Sequence, residues 1–579
     1  MVNLVIDGTP ISVPEGTTIL EAAKKVNIDI PTLCFLKDIN EVGDCRMCVV
    51  EVEGRRGFAT SCIQKVEEGM VVRTNTETVI EARRLVLDLI LSNHDRECLT
   101  CTRNGNCELQ KLAQEFNVTE IKYQGERNKH VIDDLSPSIV RDFNKCILCR
   151  RCVSTCKKVQ GIGAIDCAER GFKSCVSTES GNSLNDVNCT LCGQCIEACP
   201  VGALKEKDNT KEVWERLRDK DTYVVVQTAP AVRVALGEEF GMKIGTNVEE
   251  KMVAALRKMG FDKVFDTNTA ADLTIIEEGN EFIERLTNGG TFPMITSCCP
   301  SWIKYIEMNY PEQLAHLSSC KSPHQMFGAI IKSYYAEKMN LNPANIFVVS
   351  VMPCIAKKYE RTRPYEDGSG YPDVDAVITT RELARMIKQA HIEFVELEDE
   401  KFDDPLGESS GAAAIFGTTG GVMEAALRTV AEKLEGKELE KIEFEQTRGE
   451  QGIKRAELEI AGKKVKIVVA SGLKNAQTIM DEIRDGKADY QFVEIMSCPG
   501  GCVMGGGQPI KSSKVRSQID VRAKRAEALY TIDEKNTIRK SHENPVMKKL
   551  YEEYLEKPGS HKAEELLHTH YQKEEKYKK

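Results

Sequence analysis

A chain of 579 residues, 29% of them charged and with a formal net charge of −10, is long enough for several domains. The acidic balance and the lack of a basic run argue against nucleic acid as a partner, and no apolar stretch is long enough to span a bilayer. The 23 cysteines are too sparse for a disulfide scaffold and indicate metal binding, above all iron–sulfur clusters.

Residues 1–78 are predicted to form a small domain that holds a 2Fe-2S cluster. Two apolar runs flank the turn Asp7-Gly8 and predict a hairpin, and helical spacing follows, with Thr17 or Thr18 as the cap. Four cysteines complete the ligand set of such a cluster: Cys34, Cys45, Cys48 and Cys62. Zinc is the alternative, since Cys45 and Cys48 alone have the spacing of a zinc ligand pair.

Residues 79–125 are predicted to hold a 4Fe-4S cluster with one histidine ligand. A helix over 78–92 comes first, with Leu85, Leu89 and Ile90 on its apolar face. The three cysteines that follow are Cys98, Cys101 and Cys107. A 4Fe-4S cluster needs four ligands, so His94 is predicted to be the fourth; a surface or capping histidine is the alternative.

Residues 126–208 contain an internal repeat of cysteines. Cys146, Cys149, Cys152 and Cys156 recur as Cys189, Cys192, Cys195 and Cys199, the last followed by Pro200. This is the run of bacterial two-cluster ferredoxins, in which the fourth cysteine of each run ligates the other cluster. One 4Fe-4S cluster is therefore predicted on Cys146, Cys149, Cys152 and Cys199, and another on Cys189, Cys192, Cys195 and Cys156. Zinc-ribbon halves are the alternative, and the intervening Cys167 and Cys175 are predicted to be buried thiols.

Residues 209–579 alternate short apolar runs with helical segments, which predicts an α/β domain with its site at the strand ends. Three apolar runs lead into cysteines: Cys298 and Cys299, then Cys354, then Cys498 and Cys502. We expect the three strand ends to bring these thiols to one place. Roughly the last sixty residues are charged and lysine-rich, and are predicted to be a helical wrap or a solvated face.

These three cysteine motifs resemble the signature motifs of FeFe hydrogenases; they are Thr296–Pro300, Met352–Lys357 and Met496–Cys502. The resemblance covers essentially the whole chain, with accessory clusters of the clostridial type. It implies a multidomain α+β and α/β fold with four parts: a plant-ferredoxin-like β-grasp domain (1–78), a small helical His/Cys cluster domain (79–125), a two-cluster bacterial ferredoxin domain (126–208) and a large α/β domain (209–579). The first two parts also resemble the large iron–sulfur subunit of respiratory complex I.

The resemblance implies one 2Fe-2S cluster, three accessory 4Fe-4S clusters and an H-cluster. The H-cluster is a 4Fe-4S cubane joined through a thiolate to a two-iron unit with CO, cyanide and dithiomethylamine ligands. Its cubane ligands are then Cys299, Cys354, Cys498 and Cys502, with Cys502 bridging to the two-iron unit. Lys357 is expected to hold a cyanide, while Met352 and Met496 form a soft, dry wall. Ala229, Pro230, Pro323 and Gln508 are expected to contact the cofactor through backbone or amide groups.

Cys298 needs another role, because four thiolates already complete the cubane; an inert buried thiol is the alternative. The resemblance makes it the last proton relay, in the order Cys298, Glu278, Ser318 and Glu281, with Arg285 near the exit. On a helix Glu278 and Glu281 share a face, and buried carboxyls accept and donate protons near neutrality. From spacing alone, such a pair is more often a solvated face. Ser319 and Cys320 are expected to be packing residues.

The resemblance implies an iron hydrogenase that interconverts H2 with two protons and two electrons. Its electron partner is expected to be ferredoxin, NAD(P)-linked flavin and iron–sulfur subunits, or both in an electron-bifurcating complex, and maturation proteins are expected to supply the two-iron unit. The glycine clusters lack the strand–GxGxxG–helix context of a nucleotide site of the chain's own. Residues 1–8 lack the features of a signal peptide, so we expect a cytoplasmic location.

Two alternatives to this function remain. A complex I or formate dehydrogenase-like iron–sulfur subunit shares the front half, but its back half lacks the three cysteine motifs. A non-catalytic hydrogen sensor or assembly relative tends to lose the relay cysteine or the two-iron pocket. The presence of Cys298, Lys357 and both glutamates favours a working enzyme.

Overall fold

The computed structural model describes residues 1–439, 441–449 and 451–578. Its N-terminal part is a five-stranded sheet in the order β2-β1-β5-β3-β4. The strands are β1 (Val2–Ile6), β2 (Thr9–Val13), β3 (Val49–Val52), β4 (Phe58–Thr60) and β5 (Met70–Arg73). The predicted hairpin is confirmed, since β1 and β2 pair antiparallel around Asp7-Gly8. Thr18 is the N-cap of helix α1 (Ile19–Lys25) and forms a capping box with Glu21.

Two helices follow, α2 (Glu77–Asn93) and α3 (Glu108–Glu115). The predicted helix over 78–92 is confirmed as α2, but the expected apolar face is wrong, because Leu85 and Leu89 are exposed. The buried face is the row Val79, Arg83, Leu87 and Leu91. Arg83 fixes it by donating a hydrogen bond of 2.8 Å to the carbonyl of Val49 on β3, a contact that apolar periodicity does not reveal.

The repeated cysteine runs produce a repeated backbone. Helices α4 (Arg151–Ser154) and α5 (Gln194–Ala198) each begin after a residue with left-handed backbone, Arg150 and Gly193. Two small antiparallel sheets complete this part: β6 (Ile139–Arg141) with β9 (Leu204–Glu206), and β7 (Asp166–Ala168) with β8 (Cys175–Ser177). The expectation that Cys167 is buried is wrong, because β7 belongs to a surface hairpin and exposes the thiol.

The large C-terminal part contains two four-stranded sheets, in the orders β11-β10-β13-β14 and β12-β17-β16-β15. The strands are β10 (Tyr223–Thr228), β11 (Lys263–Asp266), β12 (Met294–Ile295), β13 (Ile346–Met352), β14 (Ala376–Thr379), β15 (Ile453–Ile460), β16 (Lys463–Ser471) and β17 (Phe492–Met496). All neighbours are parallel except the β15–β16 hairpin. Strand β13 is buried along its whole length, as parallel strands covered on both faces are.

Helices cover both sheets. They are α6 (Thr210–Arg218), α7 (Pro230–Arg233), α8 (Glu249–Lys258), α9 (Thr267–Asn288), α10 (Pro300–Asn309), α11 (Pro323–Ile330), α12 (Ala336–Lys338), α13 (Lys357–Glu360), α14 (Thr380–Gln389), α15 (Gly411–Ala414), α16 (Gly421–Glu435), α17 (Leu473–Arg484), α18 (Ser513–Arg516), α19 (Val521–Lys535), α20 (Pro545–Leu550) and α21 (His561–Leu567). The long helix α9 packs against α11 on one side and α16 on the other. Among the described residues, none of the helices is both long and apolar enough to cross a membrane.

The C-terminal segment does wrap the large domain, but it is not a solvated face. Arg525 on α19 is buried and bonds both carboxylate oxygens of Glu238, at 2.8 and 2.9 Å. Asp533 is buried against Arg428 on α16, at 2.8 Å. Charge-rich composition predicted solvent exposure, whereas these charges are neutralised by partners far away in the chain.

Candidate functional site

Five thiols line one cavity of about 90 Å³ where the two large sheets meet: Cys298 and the four predicted cubane ligands Cys299, Cys354, Cys498 and Cys502. Cys299 follows β12 and directly precedes α10. Cys354 follows β13, which belongs to the other sheet, and Cys498 follows β17. The strand ends of two separate sheets therefore bring the predicted cubane ligands together.

The glycines after Cys498 permit close backbone contact around this cavity. A Cβ on Gly505 would lie 2.2 Å from the carbonyl oxygen of Pro353. Gly501 has a φ of +95°, and a Cβ there would lie 2.6 Å from the backbone nitrogen of Thr419. Side chains at these positions would push apart the loops that carry Cys354 and Cys502.

Polar groups aim at two of the cavity thiols, as expected if sulfur is a metal-bound thiolate. The Nε2 of Gln194 lies 3.3 Å from Cys498 Sγ and also donates to the Met504 carbonyl at 2.9 Å. The hydroxyl of Ser497 lies 3.3 Å from Cys299 Sγ. Together with the four thiols, these groups fit an iron–sulfur cubane.

Lys357 supplies positive charge at the cavity wall. Its Nζ donates to the Cys298 carbonyl at 3.1 Å and to Glu360 at 2.8 Å. Burial lowers the pKa of Lys357, but Glu360, Cys354 and Cys298 together outweigh burial, so the pKa is raised and the side chain stays charged. Glu360 also accepts a hydrogen bond from His324, which holds it against the cavity.

Five of the six predicted cofactor contacts line the same cavity: Ala229, Pro230, Pro323, Met352 and Met496. Gln508 lies behind this wall, where its amide donates to the Ala231 carbonyl and accepts from the Thr380 hydroxyl, both at 2.8 Å. Sequence reasoning missed His324 and Phe416, which also line the cavity. They come from helices and turns without any motif, so no local signal could have identified them.

The predicted relay residues lie near one another beside the cavity. Glu278 lies on α9 and is 2% exposed; burial and then Glu281 raise its pKa to about 8, while the Ser318 hydroxyl opposes the rise. Ser318 donates to Glu281 at 3.0 Å, and Arg285 donates to the other oxygen of Glu281 at 2.6 Å. Cys298 lines the cavity, and burial and then Glu278 raise the pKa of its thiol.

Ser319, expected to be a packing residue, instead belongs to this hydrogen-bond network. Its backbone N–H donates to Glu281 at 3.0 Å and its hydroxyl lies 3.2 Å from the same carboxylate. The hydroxyl also lies 2.8 Å from Nδ1 of His568, which follows α21. Cys320 is buried in the core, as expected.

The other predicted ligands also meet in groups. Cys34 N–H lies 3.4 Å from Cys45 Sγ, and the sulfurs of Cys48 and Cys62 are 3.3 Å apart. His94 is buried, and its Nδ1 has no hydrogen-bond partner among the described residues, which fits a ring that ligates metal.

The fourth cysteine of each repeated run lies near the thiols of the other run. Burial, followed by Cys149, Cys199 and Cys146, raises the pKa of Cys152. Burial, followed by Cys192, Cys189 and Cys156, raises the pKa of Cys195. The predicted crosswise groups require these contacts; smaller contributions come from Cys195 at Cys152 and from Cys199 at Cys195.

Five families match successive parts of the chain. Residues 222–506 match the iron only hydrogenase large subunit, C-terminal domain, and residues 519–574 match the iron hydrogenase small subunit. Residues 1–77 match a 2Fe-2S iron-sulfur cluster binding domain, residues 83–122 the NADH-ubiquinone oxidoreductase-G iron-sulfur binding region, and residues 136–205 the NADH-quinone oxidoreductase subunit 3, ferredoxin-like domain.

Relatives match over the full length. The chain is 50% identical over 587 residues to the NADP-reducing hydrogenase subunit HndD of Solidesulfovibrio fructosivorans, covering 100% of both chains. It is 45% identical over 575 residues to iron hydrogenase 1 of Clostridium pasteurianum, covering 99% of this chain and 100% of the relative. A solved [FeFe]-hydrogenase, a variant of HydA1 from Chlamydomonas reinhardtii, matches with a TM-score of 0.57 at 40% identity, covering 63% of this chain and 99% of that chain. A thiol-lined cavity in a chain with these relatives means that the protein belongs to the FeFe hydrogenase family and is an iron hydrogenase with accessory iron–sulfur domains.

Proposed function

We propose that the chain is the cytoplasmic, hydrogen-activating subunit of an NADP-linked hydrogenase, in which electrons cross a branched series of clusters to the cavity. The H-cluster, when bound, supplies the redox chemistry on hydrogen. The protein holds the clusters, moves protons between the cavity and solvent, and connects the clusters electronically. The observation that carries the proposal is a series of direct contacts between the four predicted domains (1–78, 79–125, 126–208 and 209–579).

Two of these contacts join the front domains to the ferredoxin-like part. The amide of Asn40 donates to the carbonyls of Cys34, at 2.7 Å, and Cys149, at 3.0 Å. A Cβ on Gly202 would lie 2.5 Å from Cys101 Sγ, so the histidine-ligated cluster would sit directly against the same part. Both the 2Fe-2S cluster and the His94 cluster would therefore pass electrons to the cluster on Cys146, Cys149, Cys152 and Cys199.

A third contact joins the ferredoxin-like part to the cavity. Gln194 lies beside Cys195 in the sequence and reaches Cys498 Sγ at 3.3 Å. Gly193 lies so close to Gly506 that a Cβ on Gly506 would be 2.8 Å from the Gly193 Cα. The cluster on Cys189, Cys192, Cys195 and Cys156 would thus be the last one before the cubane on Cys299, Cys354, Cys498 and Cys502.

Protons would move between the cavity and solvent through Cys298, Glu278, Ser318 and Glu281, with Arg285 at the exit. The hydrogen bonds from Ser318 and Arg285 to Glu281 support this order. So does the pKa of Glu278, which at about 8 lets the carboxyl both accept and donate protons near neutrality. Lys357 would hold a cyanide ligand, because its charged Nζ lines the cavity.

The full-length similarity to a subunit of an NADP-reducing hydrogenase supports a flavin-containing partner as the route to NADP. Ferredoxin is a second partner, reached through the 2Fe-2S or the His94 cluster, and use of both in one complex would be electron bifurcation. Separate maturation proteins would deliver the two-iron unit.

The test begins with hydrogen evolution from reduced viologen by protein made anaerobically with the maturation machinery. We expect activity in the parent chain and a collapse of activity in Cys298→Ala, with the infrared CO and cyanide bands present in both. Activity that survives in Cys298→Ala would overturn the proton path. Bands that are missing from the parent, while a known hydrogenase matured alongside has them, would overturn the assignment of the cavity.

The partner is tested with the chain alone and with the complex isolated from its natural source. We expect the isolated chain to reduce ferredoxin with H2 but not NADP+, and the complex to reduce NADP+. NADP+ reduction by the isolated chain would contradict the need for a flavin partner.

A further inference from the structure

Three side chains with metal-ligating atoms converge at the outer end of the proposed proton path. Glu281 comes from α9, Cys320 from the segment before α11, and His568 from the segment after α21. Their ligand atoms all lie within 4.8 Å of one another. The Cys320 thiol is buried, whereas the side chains of Glu281 and His568 are 17% and 14% exposed. A small cation can therefore reach the thiol from solvent past the other two side chains.

Backbone pairing fixes this arrangement. Residues 319–321 and 567–569 bond antiparallel, with Lys321 N–H donating to Leu567 and Thr569 N–H donating to Ser319, both at 2.8 Å. Cys320 and His568 face each other across this bridge. The imidazole is therefore held beside the thiol by main-chain hydrogen bonds and does not depend on a flexible loop.

Several carboxyl groups surround the Cys320 thiol. The carboxyl groups of Glu277, Glu278 and Glu281 all lie near Cys320. On the positive side, Arg285 pairs with Glu281, and Lys433 acts on Glu277. Glu277 is further bonded by Tyr551 and by the N–H of Gly559 at 2.9 Å, and lies 3.4 Å from His568. A divalent cation that replaced the thiol proton would place its charge beside the carboxyl groups of Glu277 and Glu281.

We propose that Glu281, Cys320 and His568 form a binding site for a divalent cation of the zinc class. Thiolate, imidazole and carboxylate are the ligands that Zn²⁺ prefers, and three protein ligands leave one position for water. Mg²⁺ and Ca²⁺ prefer all-oxygen sites and are not expected here.

A second group of histidine and glutamate side chains does not qualify as a cation site. Glu432, His542 and Glu543 also lie within ligand distance of one another. However, this second group contains no thiol, and the ammonium of Lys540 bridges both of its carboxylates, 2.7 Å from Glu432 and 3.1 Å from Glu543. At the zinc-class site, Arg285 pairs with one oxygen of Glu281, and the ligand atoms of Cys320 and His568 complete the set.

Occupancy of the zinc-class site would stop proton transfer, and this consequence rests on the proposed role of Glu281. A carboxylate that ligates a cation cannot accept and release protons at the same time. Zn²⁺ is therefore expected to inhibit hydrogen evolution reversibly, without touching the cavity or the clusters.

The experiment titrates the mature holoenzyme with Zn²⁺ and follows zinc X-ray absorption, hydrogen evolution and the infrared bands. We expect one equivalent of Zn²⁺ to bind, with a sulfur neighbour at about 2.3 Å and nitrogen or oxygen neighbours at about 2.0 Å. The rate of hydrogen evolution should fall when Zn²⁺ is added and recover when a chelator is added. The CO and cyanide bands should stay unchanged. Cys320→Ala and His568→Gln should each lose this equivalent and need roughly tenfold more Zn²⁺ for half-inhibition, each relative to its own uninhibited rate.

His570→Gln is the matched control, because His570 is exposed on the same segment, two residues beyond His568. It should bind Zn²⁺ and respond to it like the parent. Cys320→Ser serves as a second variant that keeps the side-chain volume, in case the alanine variant does not mature.

Zinc binding and inhibition that persist unchanged in both Cys320 variants would overturn the site. Loss of the sulfur-bound equivalent in these variants, with no inhibition in the parent, would keep the site and instead overturn the proton role of Glu281. The two proposals therefore fail in distinguishable ways.

Discussion

Glu278 is the buried carboxyl through which we expect pH to act on proton transfer. Burial, followed by the nearby Glu281, raises its pKa to about 8. The carboxyl is therefore neutral below this pH and ionised above it. In the neutral form it can give a proton towards Cys298, and in the ionised form it can take one.

This pKa predicts opposite pH dependences for the two directions of the reaction. Hydrogen evolution needs the neutral carboxyl, so its rate should fall as the pH rises through about 8; hydrogen oxidation needs the carboxylate, so its rate should rise. Glu278→Gln should lower both rates roughly 100-fold or more and remove these two trends. Rates are measured with viologens across the pH range.

Glu284→Gln is the control, because Glu284 is exposed on the same helix, α9. It should keep the parental rates and trends. A Glu278→Gln variant with near-parental rates and intact infrared bands would show that protons take another route.

We expect Lys357 to help hold the two-iron unit in the cavity. In Lys357→Gln, a neutral amide replaces the charged Nζ at the cavity wall, so we expect weaker infrared CO and cyanide bands per chain at unchanged accessory cluster content. Lys358→Gln is the matched control, because Lys358 is a neighbouring buried lysine whose Nζ pairs with Glu382, 2.9 Å away, outside the cavity. Equal loss of the bands in both variants would indicate general destabilisation.

At the scale of elements, short helices couple the ferredoxin-like part to the cavity. Gln194 is the first residue of α5, and its side chain reaches the Cys498 sulfur across the interface between the two parts. The left-handed backbone of Gly193 starts this helix in the required direction. Gln194 therefore connects the position of α5 to the hydrogen bonding of the Cys498 sulfur.

Removing that hydrogen bond should lower the reduction potential of the cubane. N–H donors stabilise the more negative, reduced cluster, and a difference of roughly 1 kcal/mol corresponds to about 40 mV for one electron. Gln194→Leu should therefore shift the potential negative by tens of millivolts, as measured by infrared redox titration.

Gln160→Leu tests the specificity of this shift. Gln160 is also buried and also crosses the interface, but its Nε2 donates to the Ser497 carbonyl at 3.0 Å and not to a sulfur. The reduction potential of the cubane in Gln160→Leu should match that of the parent. An equal shift in both variants would attribute the effect to packing.

At the scale of the whole molecule, the C-terminal segment is an integral part of the large domain. Asp533 on α19 pairs with Arg428, at 2.8 Å, and with Arg539, at 2.7 Å, and its side chain is fully buried. Removing a partner from such a buried network leaves a charge uncompensated.

Asp533→Ala should therefore destabilise the large domain by about 3 kcal/mol and lower its thermal unfolding temperature by several degrees. Glu527→Ala is the control on the same helix, because the Glu527 side chain is 67% exposed and its pair with Lys524 contributes little. Anaerobic thermal unfolding followed by circular dichroism checks both variants. No difference between them would mean that the segment is only loosely attached.

Much of the fold followed from local chemistry. The Asp7-Gly8 turn predicted the first hairpin, and the apolar runs that lead into cysteines predicted the strands β12, β13 and β17. Errors arose where a distant partner decides burial, as for the face of α2 that Arg83 fixes on β3.

The sequence by itself determined which side chains are available as metal ligands, because the spacing of the cysteines in a run can be read without the rest of the chain. Only the tertiary structure decided that the ends of two separate sheets meet at one cavity, and that Gln508 lies behind its wall. It also decided that the charged C-terminal segment is buried and brings His568 beside Ser319 and Cys320. The physical reason is that burial and ion pairing depend on contacts between residues hundreds of positions apart, which no local pattern encodes.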